Sequence, residues 1–177
     1  YYHSLAMLYD LREYREQVRK HSALIQAEFG QKPKVLRNTE LLYSDDLGRL
    51  AGDLGFDAVL AEGLDDILGW RSPNFLYRVP DRSTRIFLKN YKLSDDIAFR
   101  FTKGAPDGSE SLRSDIFAGW LHQLTESADI VGLFLDYETF GEHHTEAAGI
   151  FEFLSTLPEQ VLKRPEWRFL TPSEAVQ

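Results

Sequence analysis

Two runs of consecutive apolar residues constrain the fold of this chain more than any other feature. Residues 58–61 (AVLA) and 130–135 (IVGLFL) would present apolar side chains on both faces of a strand. Strands of that kind are buried on both sides, as in parallel sheets that are covered by helices. Segments with helical spacing lie between and around them, at 10–29, 45–54 and 112–124. The alternation predicts an α/β fold built as a doubly wound parallel sheet or a barrel.

Further elements follow from the local pattern. We expect strands at 34–43, 84–91, 129–136 and 166–170, and helices at 150–157 and after Pro158. Ser44 and Ser94 each precede two aspartates, which predicts two helix N-caps, and Thr171 with Glu174 predicts a capping box. Residues 103–111 (KGAPDGSES) read as a surface loop. The four or five strong strands are too few to close a barrel of about seven or eight.

Composition excludes several classes of function. A chain of 177 residues with net charge −8 is the size of one domain and lacks the basic surface that nucleic acids or anionic membranes require. No apolar run approaches the roughly 18 to 20 residues of a membrane helix. The absence of cysteine removes disulfides, thiol catalysis and thiolate metal sites. The cytoplasm is the default expectation, with secretion left open because the chain opens on YYHSLAM.

Polar residues that follow the predicted strands are the candidates for chemistry, because active sites of parallel α/β folds gather at the carboxyl ends of the strands. They are Glu40, Glu62, Lys89 with Asn90, and Asp136 with Glu138. Paired carboxylates from separate strands, set among aromatic side chains, suit glycoside hydrolysis. Structural roles stay open: Arg37 could satisfy Glu40, and Asp136 could cap the residues that follow it.

His143 and His144, together with Glu142, invite a metal-site interpretation. Adjacent histidines in a strand point to opposite faces, so both cannot easily bind one ion. We therefore expect no metal here and favour contacts with sugar hydroxyls. A metal-dependent deacetylase that uses the histidine pair remains an alternative.

Three longer segments carry a family resemblance: VLRNTELLYSDD (35–46), LKNYKLSDDIAFRF (88–101) and LFLDYETFGEHH (133–144). Together with YYHSLA, RSPNFLY and FLTPSE, they occur in the order found in α-amylase-type members of glycoside hydrolase family 57, which the chain resembles over nearly its whole length.

The resemblance implies a parallel-stranded (β/α)7-type barrel, a retaining mechanism on α-glucans or maltooligosaccharides, and no obligatory cofactor. Glu40 matches the nucleophile of the family and Asp136 its general acid/base. Residues matched to substrate binding or to supporting roles are His3, Arg37, Glu138 and His143.

The resemblance also implies that residues 1–177 hold an incomplete catalytic barrel domain, without its first strands and without the helical region that follows the barrel. The predicted activity is hydrolysis of α-1,4-glucosidic bonds in starch- or glycogen-type glucans. A 4-α-glucanotransferase or branching enzyme of the same family, or an inactive glucan-binding homologue, are the alternatives. The oligomeric state is left undetermined.

Overall fold

The computed structural model describes residues 1–103 and 111–177, and the chain divides into two compact units. The first unit comprises Tyr1–Glu62, Leu76–Phe87 and Leu170–Gln177, and the second comprises Gly63–Phe75 and Leu88–Phe169. The strands are β1 (Val35–Arg37), β2 (Ala58–Glu62), β3 (Tyr77–Arg78) and β4 (Arg85–Lys89). The helices are α1 (Leu11–Phe29), α2 (Asp45–Asp53), α3 (Asp65–Leu68), α4 (Tyr91–Ala98), α5 (Ser114–His122), α6 (Ile150–Val161) and α7 (Pro172–Ala175).

The strands form one sheet in the order β1-β2-β4-β3. Strands β1 and β2 are parallel, with Val35 opposite Ala58, whereas the short strand β3 runs antiparallel to β4. An isolated parallel bridge also joins Lys89 to Gly132. The sheet is therefore mostly parallel, and the α/β class predicted from the apolar strands is confirmed.

Helix α1 supplies one side of the core of the first unit. Its start is fixed by the Asp10 carboxylate, which accepts hydrogen bonds from the backbone N–H groups of Arg12 and Glu13, and it ends at Gly30 in the left-handed conformation (φ 68°). Its buried face packs with β1, β2 and α2 in a cluster that comprises Tyr14, Val18, Leu36, Leu47, Leu50, Ala51, Phe56 and Val59. Burial of each large apolar side chain in such a cluster contributes roughly 1.5–3 kcal/mol.

The core of the second unit is aromatic. Phe153 of α6 makes edge-to-face contacts with Phe117 of α5 and with Phe101, at ring-centroid distances of 5.7 and 5.4 Å. Val131, Leu133 and Leu135 pack against this cluster at alternate positions, which is the period of an extended chain. Within residues 1–103 and 111–177, no helix combines the length and apolar character that a membrane-spanning helix needs.

The capping predictions had mixed outcomes. Ser44 does cap α2 by accepting from the Leu47 N–H, and Thr171 with Glu174 does form a capping box. The prediction for Ser94 was wrong, because α4 begins three residues earlier and Asn90 caps it by accepting from the Leu93 N–H. Of the loop predicted at 103–111, residues 104–110 lie outside the described residues.

Three strand predictions also need correction. The strand predicted at 34–43 is only Val35–Arg37, because left-handed backbone at Glu40 and Leu41 ends the extended chain. Residues 129–136 form a single β-bridge and no extended ladder of strand pairing. The reason is that β4 ends at Lys89, after which the chain enters α4. Residues 166–170 form no strand; the Trp167 indole instead donates to the Thr125 hydroxyl.

Candidate active site

Glu40 lies three residues after the end of β1, in a 3₁₀ turn, Thr39–Leu41, whose backbone is strained. Glu40 has φ 55° and ψ 23°, and Leu41 has φ 54°, a region that costs a residue with a Cβ roughly 1–2 kcal/mol. Buried neighbours hold the turn: Leu41 is in the core, and the buried Asn38 amide donates to the Leu42 carbonyl at 3.0 Å and contacts the Met7 sulfur. This arrangement turns the Glu40 side chain outward at the carboxyl end of β1, where it is exposed.

His3 contacts the predicted nucleophile. Its Nε2 lies 3.0 Å from Oε1 of Glu40, across 37 positions of sequence. Both side chains are largely exposed, at 75% for His3 and 68% for Glu40. The contact therefore orients the carboxylate while one side of it stays open to solvent and to a ligand.

Arg37 is the last residue of β1 and is exposed. It lines a cavity between α1 and β1 together with Tyr14, His21 and Asn38. Asn38 was not among the predicted site residues, although an amide two residues before a strand-end carboxylate is a recognisable signal. Asn38 is 2% exposed and supports the turn that carries Glu40.

Asp136 follows the half-buried run 131–135 and is exposed at the start of a 3₁₀ turn, Tyr137–Thr139. The apolar residues before it do not bury this carboxylate. Alternate residues of the run, Leu133 among them, face the core, and Asp136 lies on the opposite side of the extended chain. The alternative that its side chain caps the next residues is also wrong, because no side-chain cap is formed; the Asp136 carbonyl accepts from the Thr139 N–H at 3.1 Å.

Glu138 and His143 lie close together beyond Asp136. The His143 N–H donates to the Glu138 carbonyl at 2.8 Å, and both side chains are exposed. Tyr137, between Asp136 and Glu138, is 95% exposed and presents a ring face to solvent. These residues form a polar and aromatic surface beside Asp136, of the composition that sugar-binding surfaces use.

The two adjacent histidines have different environments. His143 is exposed, whereas His144 is buried and its Nε2 lies 2.9 Å from the Ala98 carbonyl, with its ring 5.3 Å from that of Phe101. The two side chains point apart from a turn, whereas from the sequence we placed them on a strand. Among the described residues, no group of three or more His, Asp or Glu side chains is arranged to hold a metal ion.

Tyr91, another aromatic residue near a strand end, forms a hydrogen bond with an ion pair. Its hydroxyl donates to Asp65 at 2.9 Å, and the Lys92 ammonium lies 2.8 Å from the same carboxylate. The Lys92 ammonium and the Tyr91 hydroxyl hold the pKa of Asp65 below its ordinary value. Tyr43 donates to Asp45, and burial raises the pKa of its hydroxyl.

The candidate residues therefore fall into two groups. The first unit carries His3, Arg37 and Glu40, of which His3 and Glu40 are in contact. The second unit carries Asp136, Glu138 and His143, of which Glu138 and His143 are in contact through the backbone. Each group has an exposed carboxylate on a turn that follows an extended segment.

The chain is similar to known proteins in sequence and in fold. The family model described as Glycosyl hydrolase family 57 matches residues 1–177. A Methanocaldococcus jannaschii protein with the provisional name alpha-amylase is 44% identical over 178 residues, covering 99% of this chain and 37% of that protein. The chain thus spans a little over a third of the length of this relative. The crystal structure of 4-alpha-glucanotransferase from Thermococcus litoralis shares the fold, with a TM-score of 0.58 at 18% identity, over 91% of this chain and 24% of that one.

Proposed function

This chain belongs to glycosyl hydrolase family 57, and we propose that the protein hydrolyses α-1,4-glucosidic bonds of starch- or glycogen-type glucans and maltooligosaccharides with retention of configuration. The observation that carries the proposal is the state of Glu40. Its carboxylate is exposed, oriented by His3 and held on a strained turn at the carboxyl end of β1. Strain of this kind persists where surrounding structure over-determines it, as at catalytic sites.

In the proposed mechanism, Glu40 attacks the anomeric carbon and forms a covalent glycosyl-enzyme, while Asp136 protonates the departing glycosidic oxygen. Asp136 then takes a proton from a water molecule, whose oxygen replaces Glu40 at the anomeric carbon. Two inversions give net retention. His3, Arg37, Glu138 and His143 are assigned to sugar hydroxyls or to orientation of the carboxylates.

The proposal extends to the architecture of the longer protein. We infer that the mostly parallel sheet is part of a (β/α)7-type barrel and that residues 1–177 form an incomplete catalytic domain. The fold similarity over 91% of this chain and 24% of the compared chain supports this inference. In a retaining enzyme the two carboxyl groups are expected about 5–5.5 Å apart, which a crystal structure of the full-length protein would measure.

Glu40→Gln and Asp136→Asn in the full-length protein test the assignment. We expect each to lower kcat on maltoheptaose by at least about 10²-fold to 10⁴-fold, the usual contribution of such groups. Two exposed acids of the same types provide matched controls, Glu28→Gln and Asp129→Asn, which should retain wild-type rates. Wild-type rates in either catalytic variant would overturn the assignment.

Rescue by azide separates the two roles. With Glu40→Ala, azide would attack the anomeric carbon from the vacated side and give a β-glycosyl azide. With Asp136→Ala, azide would intercept the glycosyl-enzyme and give an α-glycosyl azide. The opposite stereochemistry would exchange the roles. In the wild-type protein, products longer than the maltoheptaose substrate would assign glycosyl transfer in place of hydrolysis, and binding without turnover would assign a glucan-binding protein.

A further inference from the structure

Helix α4 holds the chain on both sides of Asp136. Upstream, the Ser94 hydroxyl donates to the Asn90 carbonyl at 2.7 Å and accepts from the Phe134 N–H at 3.2 Å. Downstream, Nε2 of His144 lies 2.9 Å from the carbonyl of Ala98, the last residue of α4. Asp136 lies between these two attachment points, 136 − 134 = 2 residues after the first and 144 − 136 = 8 residues before the second.

The two side chains that make these attachments are buried, so water cannot replace their hydrogen bonds without cost. Ser94 is 0% exposed and His144 is 8% exposed. A backbone carbonyl can only accept, so Nε2 of His144 carries the proton in this contact. A buried polar group that loses its partner loses the hydrogen bond, and the free-energy cost of its desolvation is then uncompensated. Such attachments therefore resist displacement.

The upstream segment has little freedom to slide along β4. The Asn90 N–H donates to the Gly132 carbonyl at 2.8 Å, and a Cβ at Gly132 would lie 2.5 Å from the Leu88 carbonyl oxygen, so only glycine permits this approach. The Asn90 side chain is itself held by Asn74, through a buried amide hydrogen bond of 2.9 Å. The register of residues 132–134 is thus set from β4 and α4 together.

We propose that Ser94 and His144 are positioning residues for the general acid/base, fixing Asp136 by attaching both of its flanks to α4. This inference rests on the function proposed above for Asp136. A carboxyl group donates its proton productively only along a narrow range of approach, and a displacement of about 1 Å can cost a catalytic step on the order of 10²-fold. The two residues act through the backbone and touch no substrate.

The dependence of the rate on the leaving group reports this role. Cleavage of maltoheptaose needs a proton from Asp136 on the departing sugar oxygen. Cleavage of α-maltosyl fluoride does not, because Glu40 displaces fluoride, the C–F bond breaks and fluoride departs as the anion without protonation. The ratio of kcat/KM for the fluoride to kcat/KM for maltoheptaose therefore measures acid assistance in the first chemical step.

Two variants in the full-length protein remove one attachment each. Ser94→Ala deletes the hydroxyl, and His144→Phe deletes the hydrogen bond while it keeps an aromatic ring against Phe101. We expect each variant to raise the ratio of fluoride to maltoheptaose kcat/KM by at least about tenfold, as Asp136→Ala also should. Ser94→Cys should raise it less, because a thiol retains weak hydrogen bonds that alanine cannot form. Because there are three such variants, the test can still be carried out if one of them fails to fold.

Matched controls remove similar interactions elsewhere in the same unit. Ser114→Ala deletes a hydroxyl that lies 2.7 Å from that of Thr156, and His122→Phe deletes a contact of 2.9 Å between its Nε2 and the Val161 carbonyl. The hydrogen-bond partners of both side chains lie on α6 and not on the segment that carries Asp136. Their ratios should equal that of the wild type, whatever the change in unfolding temperature.

The outcomes separate the two proposals. A raised ratio in Asp136→Ala with an unchanged ratio in Ser94→Ala, Ser94→Cys and His144→Phe would overturn the positioning role alone. Parallel losses on both substrates, in proportion to the folded fraction, would reduce Ser94 and His144 to structural residues. An unchanged ratio in Asp136→Ala would instead overturn the assignment of Asp136 as general acid.

Discussion

In the turn after β1, the free-energy cost of strained backbone is offset by the burial and hydrogen bonding of individual side chains. Two consecutive left-handed residues, Glu40 and Leu41, cost roughly 1–2 kcal/mol each. Burial of the Leu41 side chain returns roughly 1.5–3 kcal/mol, and the Asn38 amide adds a partly buried hydrogen bond to the Leu42 carbonyl. The two sides nearly cancel, so the turn is held by its neighbours and not by its own backbone preference.

His3 provides a prediction at this scale. Its contact with Glu40 is exposed on both sides, and exposed pairs of this type contribute little because water screens them. We therefore expect His3→Ala to lower kcat/KM on maltoheptaose by only about twofold to fivefold. Steady-state kinetics of the full-length protein would measure the change, with His21→Ala, a histidine of α1, as the control. A loss as large as that of Glu40→Gln would mean that His3 takes part directly in the chemistry.

The place of the candidate residues along the chain could be predicted from the sequence better than their surroundings could. Glu40 and Asp136 do follow extended apolar segments, because that relation is local and periodicity reports it. The contact of His3 with Glu40 spans 37 positions, and no local pattern encodes it. The exposure of Asp136 is likewise not a local property, because its apolar neighbours in sequence do not determine which side of the extended chain faces the core.

At the level of elements, propensity identified the helices well and the strands poorly. Helix α1 follows from its amphipathic spacing with Asp10 and Gly30 as its ends, all of which are local signals. Residues 129–136 looked like the best strand, yet its pairing depends on how far β4 continues, and β4 ends at Lys89. Ser94 was misassigned because Asn90, four residues earlier, caps α4 and leaves Ser94 to bond the Phe134 N–H.

The N-cap of α1 makes a prediction about acid stability. Backbone N–H groups of Arg12 and Glu13 hold the pKa of Asp10 below its ordinary value of 3.8. A carboxylate whose folded-state pKa is depressed stabilises the fold above its unfolded pKa, and that contribution disappears as the pH falls through the folded value. Asp10→Ala should therefore lower the unfolding temperature at neutral pH, by roughly 1–4 °C, and the difference from wild type should become smaller at lower pH as the contribution of the charge is lost.

Asp10→Asn is the matched control, because asparagine caps helices comparably and carries no charge. Thermal unfolding followed by circular dichroism, from about pH 7 to about pH 2, measures all three proteins. The advantage of Asp10→Asn over Asp10→Ala should stay constant across this range. A wild-type advantage that also stays constant would show that the charge of Asp10 does not contribute to the cap.

For the whole molecule, the charge balance suits an uncharged substrate. The chain carries 28 acidic and 20 basic residues, and such an excess would repel anionic ligands while it exerts no long-range force on a neutral glucan. A neutral maltooligosaccharide must then be recognised by hydrogen bonds and ring contacts, which salt screens weakly. Under the proposed function, the exposed ring of Tyr137 beside Asp136 is a candidate for such a contact.

Salt dependence tests this view of the substrate. Since the screening length falls from about 10 Å at 0.1 M to about 3 Å at 1 M salt, only interactions between net charges respond strongly over that range. We expect kcat/KM of the full-length protein for maltoheptaose to change by less than about twofold between those concentrations. Maltoheptaose oxidised to the aldonate at its reducing end is the matched probe, because its single negative charge should bind more weakly at low salt and recover as salt is added. A marked fall in the maltoheptaose rate with salt would instead show that interactions between charged groups of the protein itself limit the reaction.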